Sequence, residues 1–242
     1  MSNSKLATWK WKGNTDHYNT REHKIDTITI HHMAGNLSLQ ACCDSVQNRD
    51  GSCNYCIDSD GKIGVMIDEK YRAWTSSNRD NDMRAVTIEV ANNSGDPNWT
   101  VSDKAMKSLI NLCVDICKRN GIKKLNYTGD TKGNMTMHKW FWATGCPGPY
   151  LSGKFKYIQD EVNKRLNTST SLKTLDTEGF KRGDKSLGVY FLKCRLMALG
   201  YKMNDDYGFG SGTEKAVNDI LRINNYKQNG VAGENFAKLF MK

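Results

Sequence analysis

The chain has 242 residues, of which 38% are hydrophobic and 25% charged, and its formal net charge is +9. This length and composition are typical of one folded domain of ordinary size plus a smaller one, and they exclude an intrinsically disordered chain. No apolar run approaches the roughly 18–20 residues that a membrane span requires. The first residues lack the apolar core of a signal peptide, so we expect no secretory route encoded there.

Positive charge is spread along the whole chain. From Asn167 onward there are 12 Lys or Arg against 8 Asp or Glu, and the preceding part carries 23 against 18. This distribution argues against a basic nucleic-acid tail and indicates diffuse attraction to a polyanion. On charge alone, nucleic acid and an anionic cell wall fit equally well.

Alternating strands and helices are predicted for the first two thirds of the chain. The signals are period-two alternation for strands, and a capping residue before an apolar stripe for helices. They place a strand at 26–32, a helix from Ser38 to about Gln47, two short strands joined at Ser59-Asp60-Gly61, a strand at 84–92, a helix from Ser102 to Gly121, and a helix capped by Ser152. This order predicts an α/β domain over residues 1–166, with a mixed central β-sheet covered by helices.

A polar segment at 167–185 is interpreted as a linker because it is rich in Ser, Thr, Lys and Asp. The remaining residues, 186–242, predict a small domain of three helices at about 187–199, 212–223 and 232–241.

Eight cysteines in a chain without a signal peptide indicate thiols or metal ligands rather than a disulfide framework. Four of them lie close in sequence, at Cys42, Cys43, Cys53 and Cys56. They fit either a structural zinc site or small buried side chains, and the missing spacer between the first two favours burial. Cys113 and Cys117, at i and i+4 of a predicted helix, are expected in the core.

A histidine and a cysteine share the irregular segment "MHKWFWATGCPGP". His138 and Cys146 are eight residues apart, and the Gly and Pro residues around the cysteine prevent regular structure there. Zinc accepts mixed nitrogen and sulfur ligands, and a catalytic site needs only three protein ligands. A buried histidine and an inert cysteine in a tight loop are the alternative interpretation.

A third ligand is available at the end of the strand "TITIHHMAG", which carries His31 and His32. Strand alternation puts His31 on the face of Thr27 and Thr29, and His32 on the face of the isoleucines. A ligand belongs on the polar face that borders a cleft. We therefore predict His31 as the ligand and His32 as a residue that packs beside it or orients it.

The motifs "TIHHMAG", "VTIEVAN" and "MH…ATGCPGP" together resemble the zinc-dependent N-acetylmuramoyl-L-alanine amidase family, over about residues 22–160. That family includes phage lysozymes of the amidase type and peptidoglycan recognition proteins. The resemblance implies that His31, His138 and Cys146 hold Zn²⁺. It also implies that a zinc-activated water attacks the amide between muramic acid and L-alanine of the stem peptide.

Two further residues match family positions. Glu89 lies where some members carry a glutamate general base, and Thr144 lies where members carry lysine or threonine, which suits a hydrogen bond to the oxyanion. One position departs from the pattern, because Cys53 replaces an active-site tyrosine and Tyr55 follows two residues later. The resemblance leaves three possibilities: the tyrosine's role is absent, it has moved to Tyr55, or it has been taken by Glu89. We favour Glu89.

The tail, about 185–242, resembles a peptidoglycan-binding domain of the three-helix kind, which implies that it holds the enzyme on the wall. The resemblance also implies a core formed by Leu192, Leu196, Leu199, Val217 and Leu221. We therefore predict a phage-type endolysin that stays in the host cytoplasm until a membrane pore admits it to the wall. Its expected partners are peptidoglycan and anionic wall polymers. No nucleic-acid partner and no membrane span are expected.

Three alternatives remain open from the sequence. A bacterial autolysin with the same chemistry is expected to carry an export signal. A non-catalytic peptidoglycan-binding protein is expected to lack the cysteine ligand, and Cys146 is present. A zinc-bearing nucleic-acid binder has only the charge and the 42–56 cysteines in its favour.

Overall fold

The computed structural model describes residues 2–168 and 179–240, so much of the predicted linker at 167–185 lies outside the described residues. The chain divides into two compact units, residues 1–167 and 168–242. None of the helices in the described ranges combines the length and the apolarity needed to cross a bilayer.

The described residues of the first unit contain eight strands. In chain order they are β1 (Trp9–Lys10), β2 (Tyr18–Thr20), β3 (Thr27–His32), β4 (Tyr55–Ile57), β5 (Ile63–Val65), β6 (Tyr71–Ala73), β7 (Ala85–Val90) and β8 (Met135–Met137). Six of them form the central sheet in the order β1-β5-β4-β7-β3-β8, and only the β4–β5 pair is antiparallel. Strands β2 and β6 form a separate antiparallel pair. The predicted mixed sheet is therefore confirmed.

Four α-helices and one 3₁₀ turn complete the first unit: α1 (Leu39–Gln47), α2 (Arg79–Arg84), α3 (Asp103–Asn120), the turn (His138–Trp140) and α4 (Gly148–Thr168). The predicted caps of α1 and α3 are confirmed, because the hydroxyls of Ser38 and Ser102 accept backbone N–H bonds from the first turns. Gly121 ends α3 with a φ of 71°, which glycine adopts without strain.

The start of α4 differs from the prediction. The helix begins at Gly148 and not at a cap on Ser152. Pro149 lies in its first turn, where the fixed φ of proline suits a helix and its missing N–H costs no hydrogen bond. Helix α2 and strands β1, β2, β6 and β8 were not predicted, because segments of two to six residues are too short for a periodic signal.

The central sheet is buried on both faces. Ile28, Ile30, Val86 and Ile88 pack on one face in the same cluster as the apolar stripes of α3 and α4. A second cluster on the other face joins cysteines and aliphatic residues of α1 with β4. All six residues of β7 are buried as a result. This includes Thr87 and Glu89, on the face of the strand that the alternating pattern alone would place in solvent.

The second unit contains the three predicted helices, α5 (Leu187–Ala198), α6 (Ser211–Ile223) and α7 (Glu234–Phe240). Leu192, Leu196, Val217 and Leu221 are buried in its core, as predicted. Leu199 is 60% exposed, so its predicted place in the core is wrong. The reason is that α5 ends at Ala198, and beyond that point helical spacing no longer sets the direction of a side chain.

Candidate metal centre

Parallel pairing brings the ends of three strands together at one edge of the sheet. In the register, His31 at the end of β3 is paired with Glu89 of β7, and Cys56 of β4 is paired with the same Glu89. On the other side of β3, Ile30 is paired with Met137, the last residue of β8. His138 follows Met137 directly, so its ring lies 4.9 Å from the ring of His31, centroid to centroid.

The loop after β8 folds back on itself and carries a cysteine to the same edge. The backbone N–H of Lys139 donates to the carbonyl of Cys146 at 3.1 Å, which closes the loop. The N–H of Cys146 donates to the hydroxyl oxygen of Thr144 at 3.2 Å. These two bonds fix the cysteine beside the 3₁₀ turn that begins at His138.

His31, His138 and Cys146 form a compact group whose ligand atoms all lie within 4.8 Å of one another. The Nδ1 atom of His31 and the Sγ atom of Cys146 are 3.5 Å apart. Across residues 2–168 and 179–240, this is the group of three or more His, Cys, Asp or Glu side chains with the spacing to hold a metal ion. The structure thus brings together the three residues that were predicted as ligands.

The donor set suits a divalent cation. The Nε2 atoms of His31 and His138 and the Oε2 atom of Glu89 are buried, and they have no hydrogen-bond partner among the described residues. Buried polar atoms normally have partners, since leaving one unpaired costs about 1–3 kcal/mol. Two imidazoles and one thiol are the mixed nitrogen and sulfur donors that zinc binds.

Burial controls the protonation of these groups. It lowers the pKa of His31 well below the usual value, with His138 and His32 adding to the effect, and it also lowers the pKa of His138. Both imidazoles are therefore neutral, which is the form that binds metals. Burial raises the pKa of the Cys146 thiol and of Glu89, so a bound cation would favour the charged forms that the protein alone disfavours.

The two residues predicted for catalysis border the same site. Glu89 is 7% exposed, and its Oε1 atom is 3.9 Å from Nδ1 of His31. Glu89 and Thr144 both line the cleft, together with His138 and Cys146. His32 also lines the cleft, where its ring meets Trp99 edge-on at 5.4 Å, but it does not belong to the three-ligand group.

The cleft has a volume of about 640 Å³, and its walls carry aromatic residues and charged residues of both signs, including Asp50 and Asp82, that the sequence did not reveal. Arg49, Arg72 and Arg79 line it, together with Trp74 and Trp142. The arginines come from three separate segments, so no local pattern links them. Trp142 is 60% exposed. Its position between His138 and Cys146 in the sequence motif is the one sequence feature that pointed to a place in the site.

Tyr55 does not reach the site. It is paired with Ile88, so its side chain lies on the face of the sheet opposite to Glu89. Its buried hydroxyl donates to Glu69 at 2.6 Å and accepts from the N–H of Ser4 at 2.7 Å. Cys53 is fully buried, with its sulfur 3.9 Å from that of Met66. Of the three possibilities for the tyrosine's role, a move to Tyr55 is therefore excluded.

The four clustered cysteines are buried in the apolar cluster between α1 and β4. The sulfurs of Cys43 and Cys56 are 3.8 Å apart, and all four thiols are free. Cys42, Cys43, Cys53 and Cys56 do not appear among the metal-binding groups of the described residues. This arrangement favours the interpretation as small buried side chains over a structural zinc site.

Similarity to known proteins agrees with this fold. The family model described as "N-acetylmuramoyl-L-alanine amidase" matches residues 21–149. An endolysin N-acetylmuramoyl-L-alanine amidase of Clostridium intestinale is 20% identical, with a TM-score of 0.50 over 64% of this chain and 94% of its own. The Staphylococcus aureus hydrolase AmiA is 14% identical, with a TM-score of 0.51 over 70% of this chain and 87% of its own. No curated protein sequence matches the chain.

The mixed sheet, the covering helices and the group of His31, His138 and Cys146 at the strand ends define an α/β protein with a candidate metal centre at one edge of its sheet. The family match covers more than half of the chain. The chain therefore belongs to the N-acetylmuramoyl-L-alanine amidase family, whose members hydrolyse an amide bond of peptidoglycan.

Proposed function

We propose that the chain is a zinc-dependent peptidoglycan amidase of the phage endolysin type, which cleaves the bond between N-acetylmuramic acid and L-alanine. The observation that carries the zinc assignment is the compact group of His31, His138 and Cys146, in which the buried Nε2 atom of each histidine has no hydrogen-bond partner among the described residues. When bound, zinc supplies Lewis acidity, which lowers the pKa of a water and polarises the scissile carbonyl.

Glu89 is proposed as the general base. Its Oε2 atom has no partner among the described residues, and the side chain lines the cleft next to the ligand group. The carboxylate takes a proton from the water as that water attacks the carbonyl carbon, and then delivers it to the alanine nitrogen as the C–N bond breaks. The products are a free lactyl carboxyl group and a free amino terminus.

Thr144 is proposed to stabilise the oxyanion. Its Oγ1 atom accepts the N–H of Cys146, which holds the side chain in place and leaves the hydroxyl hydrogen for another acceptor. Since Thr144 lines the cleft, that hydrogen is available to the carbonyl oxygen as negative charge develops on it.

The arginines of the cleft suit a substrate with carboxylates, as a stem peptide has. Arg72 lies 5.8 Å from the ring of Trp74, and its Nε atom is buried without a partner among the described residues. Arg49 donates from Nε to the Ser45 carbonyl, and Arg79 pairs with Glu22 at 2.9 Å. Guanidinium groups bind carboxylates through two parallel hydrogen bonds, so we place the stem peptide along this wall.

The biological role proposed is lysis of the host wall from within. The enzyme waits in the host cytoplasm until a separate membrane pore admits it to the wall, and residues 186–242 then hold it on peptidoglycan. Supporting observations are the family membership and the second compact unit with its own core.

Digestion of purified peptidoglycan tests the proposal. The zinc-loaded protein is expected to release new free amino termini without new reducing sugar ends, and fragment masses are expected to show intact glycan separated from intact stem peptides. Metal analysis of the same preparation is expected to give about one zinc per chain. New reducing ends as the sole product would eliminate the amidase assignment, and binding without any cleavage would support the non-catalytic alternative.

A further inference from the structure

The second unit carries an aromatic strip at its surface, formed by the half-buried Tyr190 and the exposed Phe191 and Tyr207. The rings of Tyr190 and Tyr207 are stacked, with centroids 5.1 Å apart and planes 27° apart. The ring of Phe191 lies 6.0 Å from that of Tyr190. Tyr207 is 56% exposed and Phe191 is 60% exposed, so these two rings face solvent while each contacts the ring of Tyr190. Adjacent exposed rings of this kind mark a binding surface.

A cavity opens beside Tyr207, and its lining is more apolar than polar. Its volume is about 440 Å³, which is within the range of small-molecule sites. The residues that line it include Tyr207, the charged residues Asp184, Lys185 and Asp206, and three glycines. An aromatic surface, charged hydrogen-bonding groups and accessible backbone are therefore present in one place.

The walls of this cavity are fixed by hydrogen bonds. Lys185 forms a β-bridge with Gly208, and the N–H of Phe209 donates to the carbonyl of Asp184 at 2.8 Å. The buried ammonium group of Lys193 donates to Asp206 at 2.8 Å. A ligand therefore meets a site that is already ordered, which lowers the entropy cost of binding.

We propose that this cavity binds an N-acetylated amino sugar of the peptidoglycan glycan strand, stacked on the ring of Tyr207. The choice of polymer rests on the proposed function. A pyranose ring presents C–H groups on one face, which pack on the negative face of an aromatic ring, and hydroxyl groups on its rim, which hydrogen-bond to carboxylates and ammonium groups. Asp206 is paired with Lys193, so the carboxylates of Asp184 and Asp206 are balanced by the ammonium groups of Lys185 and Lys193. The site therefore has no net positive charge with which to attract a polyanion.

Chitotetraose, the tetramer of N-acetylglucosamine, is the probe for this site. It has no lactyl amide, so its binding to the full-length protein is measurable by calorimetry whether or not the chain is an active amidase. Wild type is expected to bind. Tyr207→Ala is expected to weaken binding by about tenfold or more, whereas Tyr207→Phe, which keeps the ring, is expected to stay within about twofold.

Two further variants locate the binding. Ile223→Ala removes an equally exposed apolar side chain of the same unit outside the cavity, and it is expected to bind as wild type does. Trp142→Ala, in the cleft of the first unit, is also expected to retain binding. Thermal unfolding of each variant establishes whether it is folded. If Tyr207→Ala is unfolded, the binding of Tyr207→Phe is compared with that of wild type instead.

Three outcomes would overturn the inference: no binding by wild type, full binding by Tyr207→Ala, or binding lost in Trp142→Ala alone, which would assign the sugar to the cleft. Binding of wild type to a soluble anionic wall polymer but not to chitotetraose would identify a polyanion site and contradict the inference. Release of amino termini from peptidoglycan is measured on the same preparations. A failure of the amidase proposal is therefore distinguishable from a failure of this one.

Discussion

Cys146 is the residue on which the candidate metal centre depends most. It is 9% exposed, and burial holds the pKa of its thiol above the usual value, so only a nearby cation makes the thiolate favourable. Its backbone is fixed by bonds to Lys139 and Thr144, which makes the side chain a pre-positioned ligand. Glu89 lies beside this cysteine in the cleft, so metal binding and proton transfer can be tested separately at these two residues.

Cys146→Ser is expected to lose stoichiometric zinc and to lower the amidase rate by at least about a hundredfold, because losing even an outer partner of a metal ligand costs 10–100-fold. Metal analysis and release of amino termini measure the two effects. Cys194→Ser is the matched control, since Cys194 lies in the second unit and is only half-buried. Retention of about one zinc by Cys146→Ser would remove this cysteine from the ligand set.

Glu89→Gln separates general-base catalysis from metal binding. The amide keeps the size of the side chain but cannot accept the proton from water, so we expect zinc to stay bound and the rate to fall by about 10²–10⁴-fold. Metal analysis tests whether zinc is retained, and measurement of the amidase rate on the same preparation tests whether the rate falls. A variant with wild-type rate would show that Glu89 is not the base, and loss of zinc would assign it to the metal site.

At the scale of the element, the helices depend on short local signals that the sequence displays. Helix α3 shows this best: the Ser102 hydroxyl accepts the N–H of Ala105 and donates to the carbonyl of Ser59. The second bond ties the start of the helix to the turn between β4 and β5. The cap therefore stabilises both the helix and the packing of the hairpin against it.

Ser102→Ala is expected to lower the free energy of unfolding by about 1 kcal/mol, and the midpoint of thermal unfolding by about 2–4 °C. Ser45→Ala is the control, because Ser45 lies inside α1 and its carbonyl, not its hydroxyl, accepts the bond from Arg49. Calorimetry of both variants measures the difference. Equal midpoints for the two variants would show that the cap contributes nothing.

At the scale of the whole molecule, the chain consists of two units that each have an apolar core of their own. The candidate metal group belongs entirely to the first unit. Positive charge is present in both, with 23 basic against 18 acidic residues before Asn167 and 12 against 8 from there on. Metal removal is therefore expected to affect the first unit alone, whereas added salt is expected to affect the wall binding of the full chain.

Removal of zinc by a chelator is expected to lower the unfolding midpoint of the first unit by about 5–10 °C and to leave the second unit unchanged. The reason is that a ligand stabilises only the folded unit that binds it. Differential scanning calorimetry with and without chelator gives the comparison, and re-addition of zinc is the control. Equal shifts of both transitions, or none, would contradict a metal site confined to the first unit.

Binding of the full chain to whole cell walls is expected to weaken as salt rises from about 0.05 to 0.5 M, because salt screens the attraction between a net charge of +9 and anionic wall polymers. Sedimentation with walls measures the bound fraction. Walls stripped of their anionic polymers are the control, and they are expected to show little dependence on salt. Binding that is independent of salt on intact walls would argue against a charge-driven component.

The sequence by itself determined the elements that local physics controls. Caps, turn residues and periodicity located α1, α3, β3 and β7, and strand alternation selected His31 over His32 as the residue on the polar face. It also placed His138 and Cys146 in one loop. These features depend on neighbours a few residues apart, so they are visible without a fold.

Only the tertiary structure decided what distant segments share. It put Tyr55 on the face of the sheet opposite to Glu89, because Tyr55 is paired with Ile88 of a strand about 30 residues further along the chain. It also brought Arg49, Arg72 and Arg79 from three segments to one cleft, and Tyr190 beside Tyr207 in the second unit. Such contacts arise from strand pairing and helix packing across the chain, and no local pattern in the sequence encodes them.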